Sequence, residues 1–478
     1  MTTRRKAIIL ASCCLSLLIV SMDATIVNVA IPAIRDDLNA SPSQLQWVVD
    51  VYTLVLASLL ILAGATGDRF GRRRVFQIGL TTFAFGSLLC SLAPDMETLI
   101  LARLLQAVGG SMMNPVALSI VSQVFTGPVE RARALGIWGS VVGISMAFGP
   151  IVGGFLIEFV SWRAVFWINL PICATAIILT ALFVPESKSA TMRNIDPIGQ
   201  VLAVLFLFGM VFTLIEGPVL GWTNPRTLTA AVVAAVAFGL FVRYESRRHD
   251  PFIDLRFFRS IPFSSATVTA ISAFAGWGAF LFMMSLYLQG ERGYSAMQTG
   301  LIYLPIALGA LLFSPLSGRM VGRFGARPSL LIAGVLITTA AGMLTFLTST
   351  TPIWALLVVF AVFGVGFSMV NAPITNAAVS GMPLERAGAA SAVTSTSRQI
   401  GVSIGVALCG SVAGGALAGT TTDFADAARP LWFVCVALGL VITVLALFST
   451  SGRALRSAER LAPLISGDPS MRGASRAA

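Results

Sequence analysis

The sequence predicts an all-α integral membrane protein of fourteen transmembrane helices, grouped six, two and six, with both termini in the cytoplasm. Three observations predict it. Of 478 residues, 56% are apolar and only 11% charged, against about 25% charged in a soluble domain. Apolar runs long enough to cross a bilayer core of about 30 Å recur along the whole chain. The first part of the chain also returns in altered form. Gly64-Ala65-Thr66-Gly67-Asp68-Arg69-Phe70-Gly71-Arg72-Arg73 corresponds to Gly318-Arg319-Met320-Val321-Gly322-Arg323-Phe324-Gly325-Ala326-Arg327, a displacement of 318 − 64 = 254 positions. A repeat of that length is a duplicated multi-helix half, the plan on which membrane transporters are built.

The runs lie near 8–30, 45–65, 75–93, 98–120, 134–157, 164–183, 197–216, 227–243, 262–288, 298–317, 328–348, 353–378, 388–412 and 430–449. The first follows Arg4-Arg5-Lys6 as a signal peptide would. It runs on too far, carries Asp23 and lacks a small-residue cleavage site, so it is read as span 1. Spans 2 and 10 open on Ser41 with Gln44 and on Ser295 with Gln298, again 254 apart. Spans 4 and 12 share Gly109, Ser111, Met112 and Asn114 with Gly366, Ser368, Met369 and Asn371, 257 apart. Span 5 holds Ser145, Gly149, Gly153 and Gly154, a small-residue face, and Pro150, which bends it. Spans 7 and 8 have no counterpart in the repeat and form an inserted pair, 227–243 being the shortest span. The divisions are a first half at 1–195, the inserted pair at 196–245, a second half at 246–452 and a polar, basic tail at 453–478.

Charge placement sets the orientation. With both termini in the cytoplasm, 25 of the 32 Lys and Arg residues fall in cytoplasmic loops and tails. Five fall outside (Arg35, Arg163, Arg226, Arg292, Arg429) and two within spans (Arg103, Arg398). That bias is the positive-inside signal, so the net charge of +11 marks topology and not a nucleic-acid surface. The single histidine, His249, lies in a polar loop, which excludes a histidine relay or a His-rich metal site. Cys13, Cys14, Cys90, Cys173, Cys409 and Cys435 sit inside apolar runs without metal-like or paired spacing. No phosphate-binding Gly-x-x-x-x-Gly-Lys-Ser/Thr loop is present, so ATP does not drive the work. No nucleophile–base arrangement points to an enzyme, and protons are the only coupling agent expected.

In the loop after span 2, Gly64, Gly67 and Gly71 allow close backbone approach and a tight turn. Asp68 is an anion positioned to meet a helix N-terminus from the opposite half. Arg69, Arg72 and Arg73 hold the loop on the inner face and are able to pair with Asp68 or anionic lipid. This order of residues resembles the signature loop of the major facilitator superfamily. Met22-Asp23-Ala24-Thr25-Ile26-Val27-Asn28-Val29-Ala30-Ile31-Pro32 is similar to the first-helix signature of its fourteen-helix drug:proton antiporters, the EmrB/QacA type. Arg103-Leu104-Leu105-Gln106 is similar to that family's helix 4 motif, and Gly149-Pro150-Ile151-Val152-Gly153-Gly154 to its antiporter motif in helix 5. Trp162-Arg163, Asn169-Leu170-Pro171 and Glu216-Gly217-Pro218 with Gly221-Trp222 also resemble that branch. Ala107 and Ser145 depart from the usual glycines but stay small. The resemblance implies the major facilitator fold and proton-coupled efflux.

Ionisable residues inside a membrane are costly and point to function. Asp23 lies about 10 Å from the outer end of span 1, and Asp50 and Arg103 about 8 Å inside spans 2 and 4, at 1.5 Å per residue. Three charges from three helices thus share one level, and whether such an aspartate holds a proton depends on whether the site faces water. Asp23 is the expected proton carrier, Arg103 its modulator and Asp50 a second candidate. A static network locking the bundle is the plain alternative. Arg398 lies about 15 Å into span 13, either hydrogen-bonded to carbonyls or lining a cavity. Asn28, Gln106, Met113, Trp277, Arg398 and Gln399 are the candidate cavity residues. Glu158 and Glu216 sit near outer helix ends, where they reach water.

The leading expectation is export of drugs, antibiotics or other amphipathic small molecules across the bacterial cytoplasmic membrane in exchange for protons. The alternatives are a dedicated exporter of one metabolite or self-resistance antibiotic, and a membrane sensor that has lost transport. The expected partners are a drug-like small molecule and the lipid bilayer; no obligate protein partner is evident and a monomer is expected.

Overall fold

The computed structural model describes residues 1–125, 127–188, 196–248, 253–379, 384–418, 424–449, 451, 454, 456 and 457. His249 and nearly all of the 453–478 tail lie outside them. The described residues are helical and contain no strand. The helices are α1 (Thr3–Leu38), α2 (Pro42–Phe70), α3 (Arg72–Ser91), α4 (Met96–Val124), α5 (Pro128–Phe159), α6 (Ala164–Phe183) and α7 (Pro197–Leu220). They continue as α8 (Pro225–Arg247), α9 (Ile261–Glu291), α10 (Ala296–Phe324), α11 (Ala326–Leu344), α12 (Ile353–Ala378), α13 (Leu384–Ala418) and α14 (Phe424–Phe448). Eleven are long and apolar enough to cross a membrane by length and composition; α3, α5 and α13 have the length. Each falls on one expected span.

Three helices break once, each ahead of a proline. The chain leaves α-geometry at Ile168 before Pro171, at Tyr303 before Pro305, and at Met369 and Val370 before Pro373. A proline has no N–H to give and its ring crowds the carbonyl four residues back, so the turn preceding it opens.

The repeat has a local cause at two places. Ser41 with Gln44 and Ser295 with Gln298 form the same reciprocal capping box at the starts of α2 and α10. Gly71 and Gly325 both stop a helix with positive φ, 115° and 78°, which only glycine adopts freely. Ser41→Ala is expected to cost about 1 kcal/mol of stability. Ser295→Ala should cost more, because Ser295 also donates to Glu158 (2.5 Å); thermal unfolding in detergent compares the two.

The first half packs α1 on α5, α3 on α4 and α2 on α4; the second packs α9 on α13 and α11 on α14. The halves meet along two seams, α2 with α13 and α5 with the start of α10. Hydrogen bonds that cross between halves gather toward the face opposite the basic loops. Gln46 donates to the Val406 carbonyl (2.6 Å), Gln289 to Val29 (2.9 Å), and Glu158 accepts from Ser295 and from the Met297 amide (3.0 Å). The deepest toward the basic face runs from Thr396 to the Ala57 carbonyl (3.4 Å). At the basic end, a methyl added to Gly318 or Gly322 would meet nothing within 4 Å.

Helix α7 of the inserted pair straps the α2–α13 seam. Leu207, Val211 and Ile215 pack with Leu54, Ala57 and Ala407. Gln200 donates to the Ser58 carbonyl (2.6 Å), Trp47 to Glu216 (2.9 Å), and Ser411 to the Leu214 carbonyl (3.2 Å). Glu216 therefore binds α7 to α2 instead of reaching free into water.

Candidate functional site

Four helices of the first half converge on Asp23. The carboxylate accepts from Arg103, from Gln106 Nε2 (2.9 Å) and from Asn169 Nδ2 (3.1 Å). Asp23 is 0% and Arg103 1% exposed. Ser87 on α3 accepts from both Gln106 (3.2 Å) and Asn169 (3.0 Å) and donates to the Phe166 carbonyl (2.9 Å). Arg103 also donates to Gln106 Oε1 (2.7 Å) and to the Val48 carbonyl of α2 (3.2 Å), and it lies 4.2 Å from the centre of the Tyr52 ring. Both oxygens of Asp23 and most of the guanidinium donors are thus occupied, which is what makes a buried ion pair tolerable in an apolar interior. The arrangement holds one titratable acid against one permanent cation, out of contact with water.

Asp50 does not join this cluster, although it shares the depth. It is fully buried, and neither carboxylate oxygen has a hydrogen-bond partner. Its side chain faces Ser403 of α13 across the seam, whose hydroxyl is also unpartnered.

The basic loop is docked on its own half. Arg72 pairs with Asp68 (2.7 Å). Arg73 donates to the Ala181 carbonyl (2.6 Å), and the Arg73 amide to Glu186 (3.1 Å). A methyl on Gly71 would fall 2.6 Å from Glu186, and one on Gly67 2.8 Å from Val116 of α4, while Gly64 has ordinary room beside Pro115. Arg69 is exposed beside the Phe70 ring. The expected contact of Asp68 with the opposite half is absent among the described residues; the partner is Arg72, because the halves are not packed at this end. Glu186, unremarked in the sequence, is the residue that anchors the loop.

On α5, a methyl at Gly149 would stand 2.1 Å from Thr25 Oγ1, at Gly153 2.7 Å from Ile26, and at Gly154 2.3 Å from the Ala296 carbonyl of α10. Pro150 meets Gly300 there too. The bent helix therefore lies against the turn of α1 that follows Asp23 on one side and against the second half on the other.

The remaining candidates disperse. Asn28 donates to the Ala24 carbonyl (3.2 Å) and leaves its oxygen unpartnered. Met113 is 0% exposed within the apolar core of the first half. Trp277 stacks on Phe367 (4.4 Å) and Phe363. Arg398 donates to Thr375 (2.7 Å), and Gln399 is half-buried.

Two helical halves, one of them holding a buried acid–cation pair, that meet along a seam of glycines are the build of a membrane transporter. The model of the Major Facilitator Superfamily matches residues 13–406, and the chain belongs to that superfamily. It is 37% identical over 428 residues to multidrug resistance protein Stp of Mycobacterium tuberculosis, covering 89% of this chain and 79% of that one. It is 36% identical to the tetracenomycin C resistance and export protein of Streptomyces glaucescens over 82% of this chain and 73% of that one. Its fold matches the crystal structure of a D-xylose–proton symporter with a TM-score of 0.66 at 14% identity, covering 93% and 97% of the two chains. The protein is a multi-pass transporter of the cytoplasmic membrane, not an enzyme.

Proposed function

We propose that the protein exports amphipathic drugs or antibiotics from the cytoplasm in exchange for protons, working as a monomer with its basic face inward. The observation that carries the reading is the Asp23–Arg103 pair, sealed from water and set between Met22 and Thr25, which both meet Gly149 of α5. When Asp23 takes up a proton it loses its hold on Arg103, and the frame of Gln106, Asn169 and Ser87 must rearrange. Helix α1 then shifts against α5, and α5 carries the shift to the seam with α10. With that seam closed and the basic ends apart, the conformation corresponds to the state that admits substrate from the cytoplasm. Asp50, an unpartnered acid on the other seam, is the second proton site. The substrate cavity in this reading is lined by Asn28, Arg398 and Gln399, with Gln106 given to the Asp23 frame and Met113 and Trp277 to the packed core. The names of the relatives support export of antibiotics; the tetracenomycin relative favours a narrow range as a second reading.

Everted vesicles test this. Added substrate should release protons from an acidified lumen, and an uncoupler should abolish drug accumulation. Vesicles that release none with any drug of a panel of cations, neutral antibiotics and dyes would refute proton-coupled efflux. Growth inhibition across the same panel separates broad from single-compound export.

Asp68→Asn is expected to slow cycling roughly tenfold without reducing membrane insertion, because a charge-assisted pair with Arg72 is lost at the moving end. Initial efflux rates normalised to protein in the membrane measure it.

A further inference from the structure

Helix α13 carries a cation that nothing in the proton site uses. The guanidinium of Arg398 donates to the Thr375 hydroxyl on α12 (2.7 Å), and its buried Nε has no hydrogen-bond partner. No ion pair forms to it among the described residues. The sequence offers none within the spans of its half: from 246 to 452 the acids are Asp250, Asp254, Glu291, Glu385, Asp423 and Asp426, all outside the expected spans. Glu385 is 398 − 385 = 13 residues away, about 20 Å along the helix axis. Asp50 does not serve either. It faces Ser403, five residues on, which is turned about 140° around α13 from Arg398 at 3.6 residues per turn.

The guanidinium lies against the neighbouring helix α9. It is 5.9 Å from the centre of the Phe274 ring, on α9, the most enclosed of the eleven apolar spans among the described residues. Phe274 meets Phe367 edge-on at 5.1 Å, and Trp277 stacks on Phe367 at 4.4 Å, so an aromatic ladder leads away from the cation. Thr375 and its neighbour Asn376 are exposed, so the guanidinium lies at the edge of the packed interior. A membrane-buried arginine is ordinarily paired with an acid or with carbonyls; this one has a single hydroxyl, an unpartnered Nε and a ring beneath it.

We propose that Arg398, flanked by Thr375 and backed by Phe274, is a subsite for the carboxylate of an aromatic substrate. The anion supplies the missing charge and accepts from the guanidinium fork, and its ring extends the Phe274–Phe367–Trp277 ladder. The inference rests on the reading that Arg398 lines the substrate cavity, and it adds a substrate class: amphipathic aromatic acids.

Binding of anthracene-2-carboxylate and anthracene-2-carboxamide to the purified full-length protein in detergent tests it by calorimetry. The two differ in charge and not in ring. The protein should bind the carboxylate roughly tenfold more tightly, the size of one charge-assisted hydrogen bond. Arg398→Gln should bind both equally, at the affinity of the amide for the unaltered protein, and Arg398→Lys should keep part of the preference. The proposal fails if the unaltered protein prefers neither compound or binds neither, or if Arg398→Gln keeps the preference. It fails too if Arg398→Gln and Arg398→Lys lose both ligands alike, which would assign Arg398 to packing. Absence of proton release in vesicles would defeat the transport reading while leaving this preference in place.

Discussion

Asp23→Asn is expected to abolish proton-coupled exchange while leaving the protein folded in the membrane. The amide has the shape of the carboxylate and its one oxygen still accepts from Gln106 and Asn169, so the packing around α1 persists while the bond to Arg103 is lost. It cannot gain or lose a proton in the working range. Loss of a proton-transferring group commonly costs at least about a hundredfold in rate, and a fall of that order is expected in substrate-driven proton release from everted vesicles. Substrate counterflow needs no net proton movement and should persist. Asp23→Ala is the wrong test: besides the anion of Arg103, it removes the side chain that fills the site and the acceptor of Gln106 and Asn169, which confounds coupling with folding. If Asp23→Asn released protons at the wild-type rate, the proton would travel elsewhere, and Asp50 would be examined first.

That ordering of the two acids comes from geometry that the sequence contains but depth arithmetic does not use. Asp23, Asp50 and Arg103 share one level, and the level is correct for the first and third. Tyr52 is the residue of α2 that lies against Arg103, and Asp50, two positions earlier, is turned about 200° away from it at 3.6 residues per turn. Helical phase therefore sends Asp50 to the α13 seam. Asn169 is marked only by its motif and Ser87 not at all, since a neutral polar side chain inside a span carries little cost and so gives little signal. The spans themselves were legible because hydrocarbon imposes length and composition together. The proline breaks were legible in principle from Pro171, Pro305 and Pro373. Where Asp68 finds its partner was not, because that depends on which face of the bundle is closed, and one sequence encodes both conformations.

Gly154→Ala is expected to disable the seam with the smallest possible change. The added methyl would lie 2.3 Å from the Ala296 carbonyl oxygen, more than 1 Å inside the 3.4 Å of an ordinary contact. A flexible side chain yields to such a clash; a backbone carbonyl held at a helix start does not. Helices α5 and α10 must separate, and the carboxylate of Glu158 then loses the Ser295 hydroxyl and the Met297 amide. Overfilling a packed contact costs about 1–3 kcal/mol, and if the closed seam bears that cost its population and the efflux rate should fall by about tenfold. A cysteine pair at positions 158 and 295 reads the same event directly: it should oxidise readily with Gly154 in place and poorly once Gly154→Ala is added. Gly149→Ala provides the contrast, because its methyl meets the Thr25 hydroxyl on α1 within the same half. It should uncouple α1 from α5 and leave the cysteine pair able to close. If Gly154→Ala closed and exported normally, α5 would not be the element that moves, and protonation at Asp23 would have to reach the second half through α2 and α13 instead.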